Sequence, residues 1–487
     1  MKLLKDILYR SRIKEVVGTT NLAIEQVCFD SREVSKFSVF VAVNGTVVNG
    51  HHYIEKAIEQ GAVAVVCEAL PDQLHENVTY VKVSDSAESL GCMAANFYDV
   101  PSRKLQVIGV TGTNGKTSIV TMLFDLFTKL GYNCGMLSTV VNRIGEREIQ
   151  STHTTSDAVK VNQLIAEMVD EGCDYCFMEV SSHALEQHRV SGVVFSRAVF
   201  TNITHDHLDY HGTFNNYIEA KRKLFGMLGP NTVSIVNKDD KHWAQMVQGT
   251  ASQIQTYSLK SMADYKAKIV ENQFDGLQLN VNGHEVWTRL IGEFNASNLL
   301  AIYGVAVSCG QDEIDVLTSI SQIAPAPGRF QQVDSDNGVN GIVDYAHTPD
   351  ALNNVLDTIS KIRTGNEKVI TVVGCGGDRD KAKRPKMAQI AAKLSDQVII
   401  TSDNPRTEDP QTIIDEMVAG LDPIQKKKSL SILDRAEAIK VASALAQSGD
   451  IILVAGKGHE TYQDIQGVKH HFDDVEILEN LLNQKQE

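Results

Sequence analysis

The sequence predicts an α/β protein built of three blocks, with parallel-rich sheets in the second and third. Short apolar runs, typical of buried strands, alternate with helical patterns along both of those blocks. Polar or glycine-rich residues follow almost every run, and ligands bind beyond the carboxyl ends of parallel strands. One such strand end could be a simple turn, but seven of them predict two ligand-binding α/β domains.

The composition is that of an ordinary soluble protein. Its 487 residues are 43% hydrophobic and 22% charged, which allows about two to four domains. No run approaches the ~18 apolar residues of a membrane helix, and the start MKLLKDILYR has no signal-peptide pattern. Eight scattered cysteines fit a reducing compartment, and a net charge of −15 argues against nucleic-acid binding. We expect a cytoplasmic protein with no membrane or nucleic-acid partner, and we take it to be a monomer.

The first block contains the apolar runs SVFVAV, AVAVVCE and VTYVKV, one helical pattern, and the segment FDSREV around Ser31. The segment VPSRKLQ is predicted to link it to the second block. Proline and glycine concentrate in PAPGRF, which predicts the second boundary. We therefore predict domains over residues 1–102, 103–326 and 327–487.

The stretch LQVIGVTGTNGKT, Leu105 to Thr117, predicts a phosphate-binding loop between a buried strand and a helix over Ile119–Leu130. Its glycines let backbone N–H groups converge on phosphate oxygens, and the helix N-terminus adds positive potential. Lys116 would reach the outer phosphates, and the Thr117 hydroxyl suits Mg2+. Val110 stands where the strict pattern has glycine, so a tight turn is the alternative, but Gly-Lys-Thr at this junction favours nucleotide binding.

Two features of the second block indicate metal and phosphate chemistry. Glu179 ends an apolar run, and its carboxylate is a ligand of the kind Mg2+ prefers. The segment HDHLDYH, His205 to His211, nearly spells a dinuclear zinc-hydrolase pattern, but Tyr210 occupies the last required histidine. We favour a His207 contribution to Mg2+ near phosphate over that hydrolase pattern. The other alternative is a capping cluster before a helix at Phe214.

A run of basic residues, Lys221, Arg222 and Lys223, lies in the helical pattern YIEAKRKLF. Such a run is ordinarily a solvated helix face. The functional alternative is a basic group that points at phosphates.

The motifs TGTNGKT, MEVSSHALEQHRV, FTNITHDHLDYHG, EAKRKLF, GEFNASN, PGRF and DYAHTPD follow one another along the chain. Together they resemble the Mur ligases, ATP-dependent amide-forming enzymes of bacterial cell-wall synthesis. FDSREV and DNPRTEDP resemble the type that adds the third residue to UDP-N-acetylmuramoyl-L-alanyl-D-glutamate. The resemblance implies an N-terminal domain for the UDP end, a central P-loop ATPase domain with a parallel-rich sheet, and a C-terminal Rossmann-like domain.

The resemblance also implies roles for matching positions. ATP would be held by Gly112, Thr113, Asn114, Gly115, Lys116, Thr117, Ser118, Asn295, Asn298, Arg329 and Asp344. The nucleotide-peptide substrate would be held by Ser31, Thr154, Thr155, Ser181, Gln187 and Arg189. Mg2+ would be bound by Thr117, Glu179, His207 and Lys221, the last as a carbamate formed with CO2. The implied catalytic residues are Lys116, Glu179, His207 and Lys221.

In the type that adds the third residue, the last domain selects which amino acid is added. The matching positions are Arg379, Asp403, Asn404, Pro405, Arg406, Gly456 and Glu460. The loop reads DNPR, as in the type that adds diaminopimelate, whereas lysine-adding relatives lack that arginine. A guanidinium can bind the second carboxylate of meso-diaminopimelate bidentately. Glu460 would hold the distal ammonium.

The resemblance therefore implies an acid–amino-acid ligase of peptidoglycan precursor synthesis. ATP would convert the D-glutamyl carboxylate to an acyl phosphate, which the amine of meso-diaminopimelate attacks. Four alternatives stay open at this point. They are a lysine-adding ligase of the same type, a folylpolyglutamate-type ligase, a zinc hydrolase built on the histidine segment, and a non-catalytic nucleotide sensor.

Overall fold

The computed structural model describes residues 1–45, 48–151, 153–333 and 335–483, so the last four residues of the predicted third domain lie outside it. The chain forms two compact units. The first comprises residues 1–112, 123–202 and 215–256, and the second comprises residues 113–122, 203–214 and the described chain from Tyr257 onward. No helix of the described ranges is long and apolar enough to cross a bilayer.

The first unit begins with a region that contains a five-stranded sheet and a separate two-stranded sheet. Its elements are β1 (Lys2–Leu3), α1 (Leu4–Ile7), β2 (Ile13–Val17), β3 (Ala23–Ile24), β4 (Gln26–Cys28), β5 (Ser38–Val41), α2 (Ile54–Glu59), β6 (Ala62–Cys67), β7 (Thr79–Val83) and α3 (Ser86–Phe97), with 3₁₀ turns at Ser31–Glu33, Gly50–Tyr53 and Pro101–Arg103. Strands β4 to β7 are parallel, and β2 pairs antiparallel with β7. The three apolar runs of the first block are confirmed as β5, β6 and β7. Alternate residues of β5 join different clusters: Val39 and Val41 join one, and Phe40 joins the other.

The predicted linker VPSRKLQ is packed rather than open. Pro101 and Ser102 are buried in a 3₁₀ turn, and the Ser102 hydroxyl accepts a hydrogen bond from the Val194 backbone N–H at 2.9 Å. The predicted linker is therefore held by a hydrogen bond to a residue 92 positions away, which sequence composition alone does not show.

A second sheet of the first unit carries the long parallel strands. The elements that follow are β8 (Gln106–Thr111), α4 (Lys116–Lys129), β9 (Cys134–Leu137), β10 (Val141–Ile144), β11 (Arg147–Gln150), α5 (Ala158–Asp170), β12 (Tyr175–Glu179), α6 (Ser182–Glu186), β13 (Arg197–Phe200), α7 (Leu208–His211), α8 (Phe214–Gly226), β14 (Val233–Asn237), α9 (Trp243–Met246) and β15 (Gln253–Ser258). Strands β9, β12, β8, β13 and β14 are parallel neighbours in that order. The hairpin of β10 and β11 extends the β9 edge.

Helix α4 begins at Lys116, three residues before the predicted start at Ile119. The prediction began the helix at its first apolar residue. The Ile119 N–H already donates to the Gly115 carbonyl at 2.9 Å, so Gly-Lys-Thr forms the first helical turn.

The second unit contains an antiparallel meander and a doubly wound sheet. Its elements are β16 (Tyr265–Gln273), β17 (Gly276–Val281), β18 (His284–Thr288), α10 (Glu293–Ser308), α11 (Glu313–Ile320), β19 (Gln331–Val333), β20 (Asn340–Asp344), α12 (Pro349–Ile362), β21 (Val369–Cys375), α13 (Lys383–Leu394), β22 (Gln397–Ser402), α14 (Pro410–Val418), α15 (Pro423–Lys427), β23 (Ser429–Ser431), α16 (Arg435–Leu445), β24 (Ile451–Ala455), β25 (Tyr462–Ile465), β26 (Val468–His471) and α17 (Asp474–Leu482). Strands β20, β24, β21, β22 and β23 are parallel in that order, and β19 pairs antiparallel with β20.

Both faces of this sheet are covered by helices, which explains why its strands read as continuous apolar runs. Val369 and Val373 of β21 pack in one cluster with residues of α12, α13 and α14. Ile370 and Val372 pack in the other with residues of α16 and α17. The predicted parallel-rich α/β architecture with a C-terminal Rossmann-like sheet is confirmed.

Candidate active site

The phosphate loop lies between β8 and α4, and its residues Thr113 to Ser118 belong to the second unit. The Lys116 ammonium donates to the Thr113 carbonyl at 2.9 Å. The Asp350 carboxylate accepts hydrogen bonds from the Asn114 amide and the Thr204 hydroxyl, each at 3.0 Å. Asp350 therefore holds the tip of the loop. Sequence reasoning missed it, although it is the last residue of the quoted motif DYAHTPD.

Gly112, the first residue of the loop, belongs to the first unit. The space around it does not admit a side chain. A Cβ at this position would lie 1.8 Å from the Thr201 hydroxyl. Its carbonyl accepts a hydrogen bond from the Lys221 ammonium at 2.8 Å. The Gly112 carbonyl is thus in direct contact with Lys221 of α8, within the first unit.

The three basic residues of α8 do not share one environment. One is buried, as the functional interpretation requires, and two lie on the solvated helix face. Lys221 is 1% exposed, and its ammonium lies 4.7 Å from the ring centroid of Tyr217. Lys223 lies on the solvated face, where it pairs with Glu186 at 2.7 Å. Arg222 likewise pairs with Glu219 at 2.9 Å. Only Lys221 therefore fits the functional interpretation.

Glu179, at the end of β12, is 1% exposed. Its carboxylate accepts from the Thr139 N–H at 2.8 Å and from the Thr139 hydroxyl at 3.2 Å. The Thr139 hydroxyl also lies 3.1 Å from that of Thr154. Thr139 was missed because it sits alone after β9 and belongs to no quoted motif.

Several predicted substrate residues gather around this glutamate. The Thr155 hydroxyl donates to the Glu179 carbonyl at 2.8 Å and lies 3.5 Å from that of Ser181. The Arg189 guanidinium donates to the Thr155 carbonyl at 2.8 Å and to the Gln187 side chain at 2.7 Å. The structure thus assembles one polar group from residues that are 34 positions apart. Their roles toward a substrate stay predictions.

Ser31 lies elsewhere in the first unit. It is buried in the 3₁₀ turn after β4, where the Asp30 side chain caps the turn by accepting from the Arg32 N–H at 2.9 Å. No hydrogen bond between described residues joins Ser31 to the group around Glu179.

The histidine segment of the second unit does not assemble a metal site by itself. His207 adopts a positive φ of 53° before α7, with its ring 3.4 Å from the Asp206 carboxylate. His205 stacks on Phe214, and His211 is buried beside Tyr210. In the described ranges, no three His, Cys, Asp or Glu side chains are arranged to hold a metal ion. This geometry gives the zinc-hydrolase alternative no support.

Arg329 and Asp344 are linked to the phosphate loop. The Arg329 guanidinium donates to the Thr117 hydroxyl at 3.2 Å and lies over the Tyr345 ring. The Asp344 carboxylate accepts from the Phe330 N–H at 2.6 Å. Burial raises the pKa of Asp344 to about 6, although the Arg329 charge opposes that shift.

Asn295 and Asn298, also predicted to hold ATP, are buried one turn apart on α10. The Asn298 amide donates to the Asn295 side chain at 3.3 Å, and that of Asn295 donates to the Ile291 carbonyl at 2.9 Å. The structure therefore pairs these two residues with each other.

The residues predicted to select the third amino acid follow neighbouring parallel strands. Asp403 to Arg406 follow β22, Gly456 and Glu460 follow β24, and Gly376 and Gly377 follow β21. The Asn404 amide donates to the Glu460 carboxylate at 2.7 Å. The Arg406 guanidinium donates to the Gly377 carbonyl at 2.6 Å.

Close backbone approach explains the glycines of this cluster. A Cβ at Gly377 would lie 1.9 Å from the Pro405 carbonyl oxygen. Arg379, in contrast, is exposed, and its guanidinium donates to the neighbouring Asp378 carbonyl at 3.4 Å. Arg379 therefore differs from the other predicted selecting residues, which are buried or half-buried.

A fully buried arginine, missed by sequence reasoning, stabilises the loop that follows β21. Arg384 of α13 donates to Glu408 at 2.8 and 3.0 Å and to Glu416 at 2.6 Å. Its hydrogen bonds lower the pKa of Glu408 to about 2, and that carboxylate also accepts from the Asp378 N–H. Nothing in the pattern KRPKMAQI distinguishes this arginine from an exposed one.

Two histidines, His347 and His459, pack against the ring of Tyr345. The ring centroids of His347 and His459 lie 4.5 and 5.0 Å from that of Tyr345. Burial lowers the pKa of His347 to about 4, helped by the Lys383 ammonium, which donates to the His347 carbonyl. Burial likewise lowers the pKa of His459 to about 3. Both rings are therefore uncharged at neutral pH.

These features define a phosphate-loop α/β protein whose second parallel sheet carries a separate cluster of polar residues at its strand ends. Comparison with known proteins agrees along nearly the whole chain. Residues 23–98 match the Mur ligase family catalytic domain, residues 110–306 match the Mur ligase middle domain, and residues 328–458 match the Mur ligase glutamate ligase domain. The chain belongs to the Mur ligase family.

Individual relatives carry a more specific name. The UDP-N-acetylmuramoyl-L-alanyl-D-glutamate–2,6-diaminopimelate ligase of Cytophaga hutchinsonii is 54% identical over 99% of both chains. The enzyme of that name from Bacteroides fragilis is 52% identical, also over 99% of both. A solved structure of such a ligase is 34% identical, covers 99% of this chain and 98% of its own, and has a TM-score of 0.71.

The buried neutral state of His347 predicts acid lability of the second unit. Its pKa lies below the ordinary 6.5, so the unfolded chain binds more protons as the pH falls from about 6.5 to 4, and stability is lost over that window. His347→Gln removes this titration and should flatten the pH dependence by up to about 3 kcal/mol. The measurement is the thermal unfolding midpoint of both proteins at several pH values. His284→Gln, at an exposed histidine, serves as the control; parallel curves for His347→Gln and wild type would contradict the assignment.

Proposed function

We propose that this protein is an ATP-dependent ligase that joins meso-2,6-diaminopimelate to UDP-N-acetylmuramoyl-L-alanyl-D-glutamate. The carrying observation is the cluster at the strand ends of the second unit, where the loop after β22 supplies Arg406 and the segment after β24, on the other side of β21, supplies Glu460. A guanidinium and a carboxylate complement the distal carboxylate and ammonium of diaminopimelate. The names of relatives that are more than 50% identical over nearly the full length support the same substrates.

The reaction needs little covalent chemistry from the protein. The γ-phosphoryl group of ATP passes to the D-glutamyl carboxylate, which gives an acyl phosphate and ADP. The amine of diaminopimelate then attacks the acyl carbon, and inorganic phosphate leaves from the tetrahedral intermediate. Positioning and charge neutralisation supply most of the rate enhancement in such transfers. Lys116 and the N-terminus of α4 provide both for the phosphates of ATP.

Mg2+ is the expected metal, and the candidate residues offer the oxygen donors that it prefers. The Thr117 hydroxyl and the Glu179 carboxylate are such donors, and a bound ion would neutralise phosphate charge. Lys221 fits as a carbamate, because its buried amine could then offer two anionic oxygens where an ammonium would repel a cation. His207 is the remaining candidate ligand.

The domain boundaries 1–102, 103–326 and 327–487 belong to the same proposal. They are supported by the three matched ranges, residues 23–98, 110–306 and 328–458, each of which falls inside one of them. A cytoplasmic location stays a prediction from composition, and the monomeric state also stays a prediction.

Phosphate release from ATP tests the function directly. With UDP-N-acetylmuramoyl-L-alanyl-D-glutamate present, we expect release with meso-diaminopimelate and little with L-lysine, because lysine leaves the arginine unpaired. Release with lysine alone would keep a ligase but reject the selectivity. No release with either amino acid would favour a nucleotide sensor.

Arg406→Ala should weaken diaminopimelate binding selectively. Loss of a charge-assisted, bidentate contact predicts a KM for diaminopimelate raised about 30- to 100-fold, with the KM for ATP unchanged. Steady-state kinetics on both substrates give the comparison. Arg363→Ala, which removes a half-buried arginine paired with Asp396 in the same sheet domain, is the matched control. Equal losses for both substrates would indicate a folding defect instead.

Lys221→Ala should be nearly inactive if the carbamate is required, and a small added carboxylate such as acetate should partly restore activity. The reason is that a free carboxylate can supply the missing anionic oxygens. Lys223→Ala, two residues along the same helix but exposed, should retain activity. Full activity of Lys221→Ala without rescue would reject the carbamate.

A further inference from the structure

Lys457 lies at the centre of the cluster that follows β24, and neither the sequence motifs nor the proposed reaction assigns it a role. Its side chain is 0% exposed. Its ammonium donates to the Asn404 side-chain oxygen at 3.1 Å, to Glu460 Oε2 at 3.2 Å, and to the Tyr462 carbonyl. A lysine ammonium has three N–H donors, so all three are used.

These contacts determine how the Asn404 amide is oriented. Its oxygen accepts from Lys457 and from the Asp464 N–H at 2.9 Å. Two donors on one side require the oxygen there, so the NH2 group must face the other way. That NH2 group donates to Glu460 Oε2 at 2.7 Å. Lys457 therefore orients Glu460 both directly and through Asn404.

The same contacts join the selecting loop to the hairpin of β25 and β26. Lys457 holds the Tyr462 carbonyl at the start of the hairpin, and Gln463 donates to the Asp403 carbonyl at 2.6 Å. The Arg406 N–H donates to the Asp464 carbonyl at 3.0 Å, and its own carbonyl accepts from Gln466. Arg406 is thereby held at a positive φ of 51°, a strained backbone state that these contacts stabilise.

Electrostatic interactions also connect Lys457 with Glu460. Burial and the nearby Asp403 carboxylate raise the pKa of Glu460, whereas Lys457 and Asn404 lower it. Lys457 lies 4.0 Å from Asp403, so one buried ammonium faces the buried Asp403 carboxylate and the half-buried Glu460 carboxylate. Among the described residues, Arg435 at the start of α16 and the phenol of Tyr345 also interact electrostatically with Glu460. Arg435 is itself paired with Asp474 at 2.6 Å, whereas the Lys457 ammonium contacts Glu460 directly.

We propose that Lys457 is a positioning residue for the amino-acid substrate, which fixes Asn404 and Glu460 so that Glu460 Oε1 is available to the distal ammonium of diaminopimelate. Among the described residues no hydrogen bond occupies that oxygen, whereas Oε2 accepts from both Asn404 and Lys457. The assignment rests on the proposed function. A buried lysine between carboxylates is costly compared with an apolar side chain of the same length, which favours a functional reason for its presence.

The test is Lys457→Met, which keeps the length of the side chain and removes its charge and donors. We expect the KM for diaminopimelate to rise at least about 30-fold, with the KM for ATP within about twofold of wild type. We also expect the diaminopimelate KM of the variant to depend more strongly on pH, with weaker binding at lower pH, because removing Lys457 removes an interaction that lowers the pKa of Glu460. Wild type should show a flatter profile. Lys428→Met, which removes a half-buried lysine bonded to the Ser395 carbonyl, is the matched control.

Each outcome is decisive. An unchanged diaminopimelate KM in Lys457→Met, or equal losses for ATP and diaminopimelate at every pH, would overturn the proposal. Lys457→Gln, which is neutral but retains a donor, repeats the test if the methionine variant precipitates. Loss of folded protein in both variants would assign Lys457 to domain stability and reject the positioning role. Wild-type enzyme without diaminopimelate-dependent phosphate release would instead refute the proposed function, and this inference with it.

Discussion

The burial of parallel sheets on both faces is the constraint on which this molecule depends. Helices cover both faces of the sheet of β20 to β24, so no polar side chain can project from its middle at low cost. Polar and charged side chains that could bind a ligand therefore lie where the strands end. For this reason Asp344 ends β20, Gly456 follows β24 and Asp403 follows β22, all strands of one parallel sheet, and the first unit repeats the arrangement at Glu179 and Gly112.

A second consequence is that charges near these strand ends are buried and must be paired. Arg384 holds Glu408, Arg435 holds Asp474, and Lys457 lies between Asp403 and Glu460. An unpaired charge at such depth would be strongly destabilising, whereas a complete set of partners also fixes side-chain orientation. The pairing therefore gives the loops a defined geometry before any substrate is present.

Local patterns explain why so much of the architecture was predictable. Apolar runs marked β5, β6, β7 and β21, and Gly-Lys-Thr marked the phosphate loop, because strands, turns and helix starts depend on neighbouring residues. The start of α4 was placed three residues late, since apolar periodicity does not detect a first turn made of polar residues. Asp350, Thr139 and Arg384 escaped because their contacts lie far away in sequence, as between Asp350 and Asn114, 236 positions apart.

The sequence by itself determined the α/β class and the strand–loop–helix unit around Gly-Lys-Thr, because each depends on short stretches of chain; the residues proposed to select an amino acid came from a resemblance of motifs. Only the tertiary structure decided which of them meet. It brought Asn404 and Glu460 together through Lys457, buried Lys221 while leaving Lys223 exposed, and left Arg379 at the surface. The physical reason is that side-chain partners across neighbouring strands depend on strand order and burial, and neither can be read from local spacing.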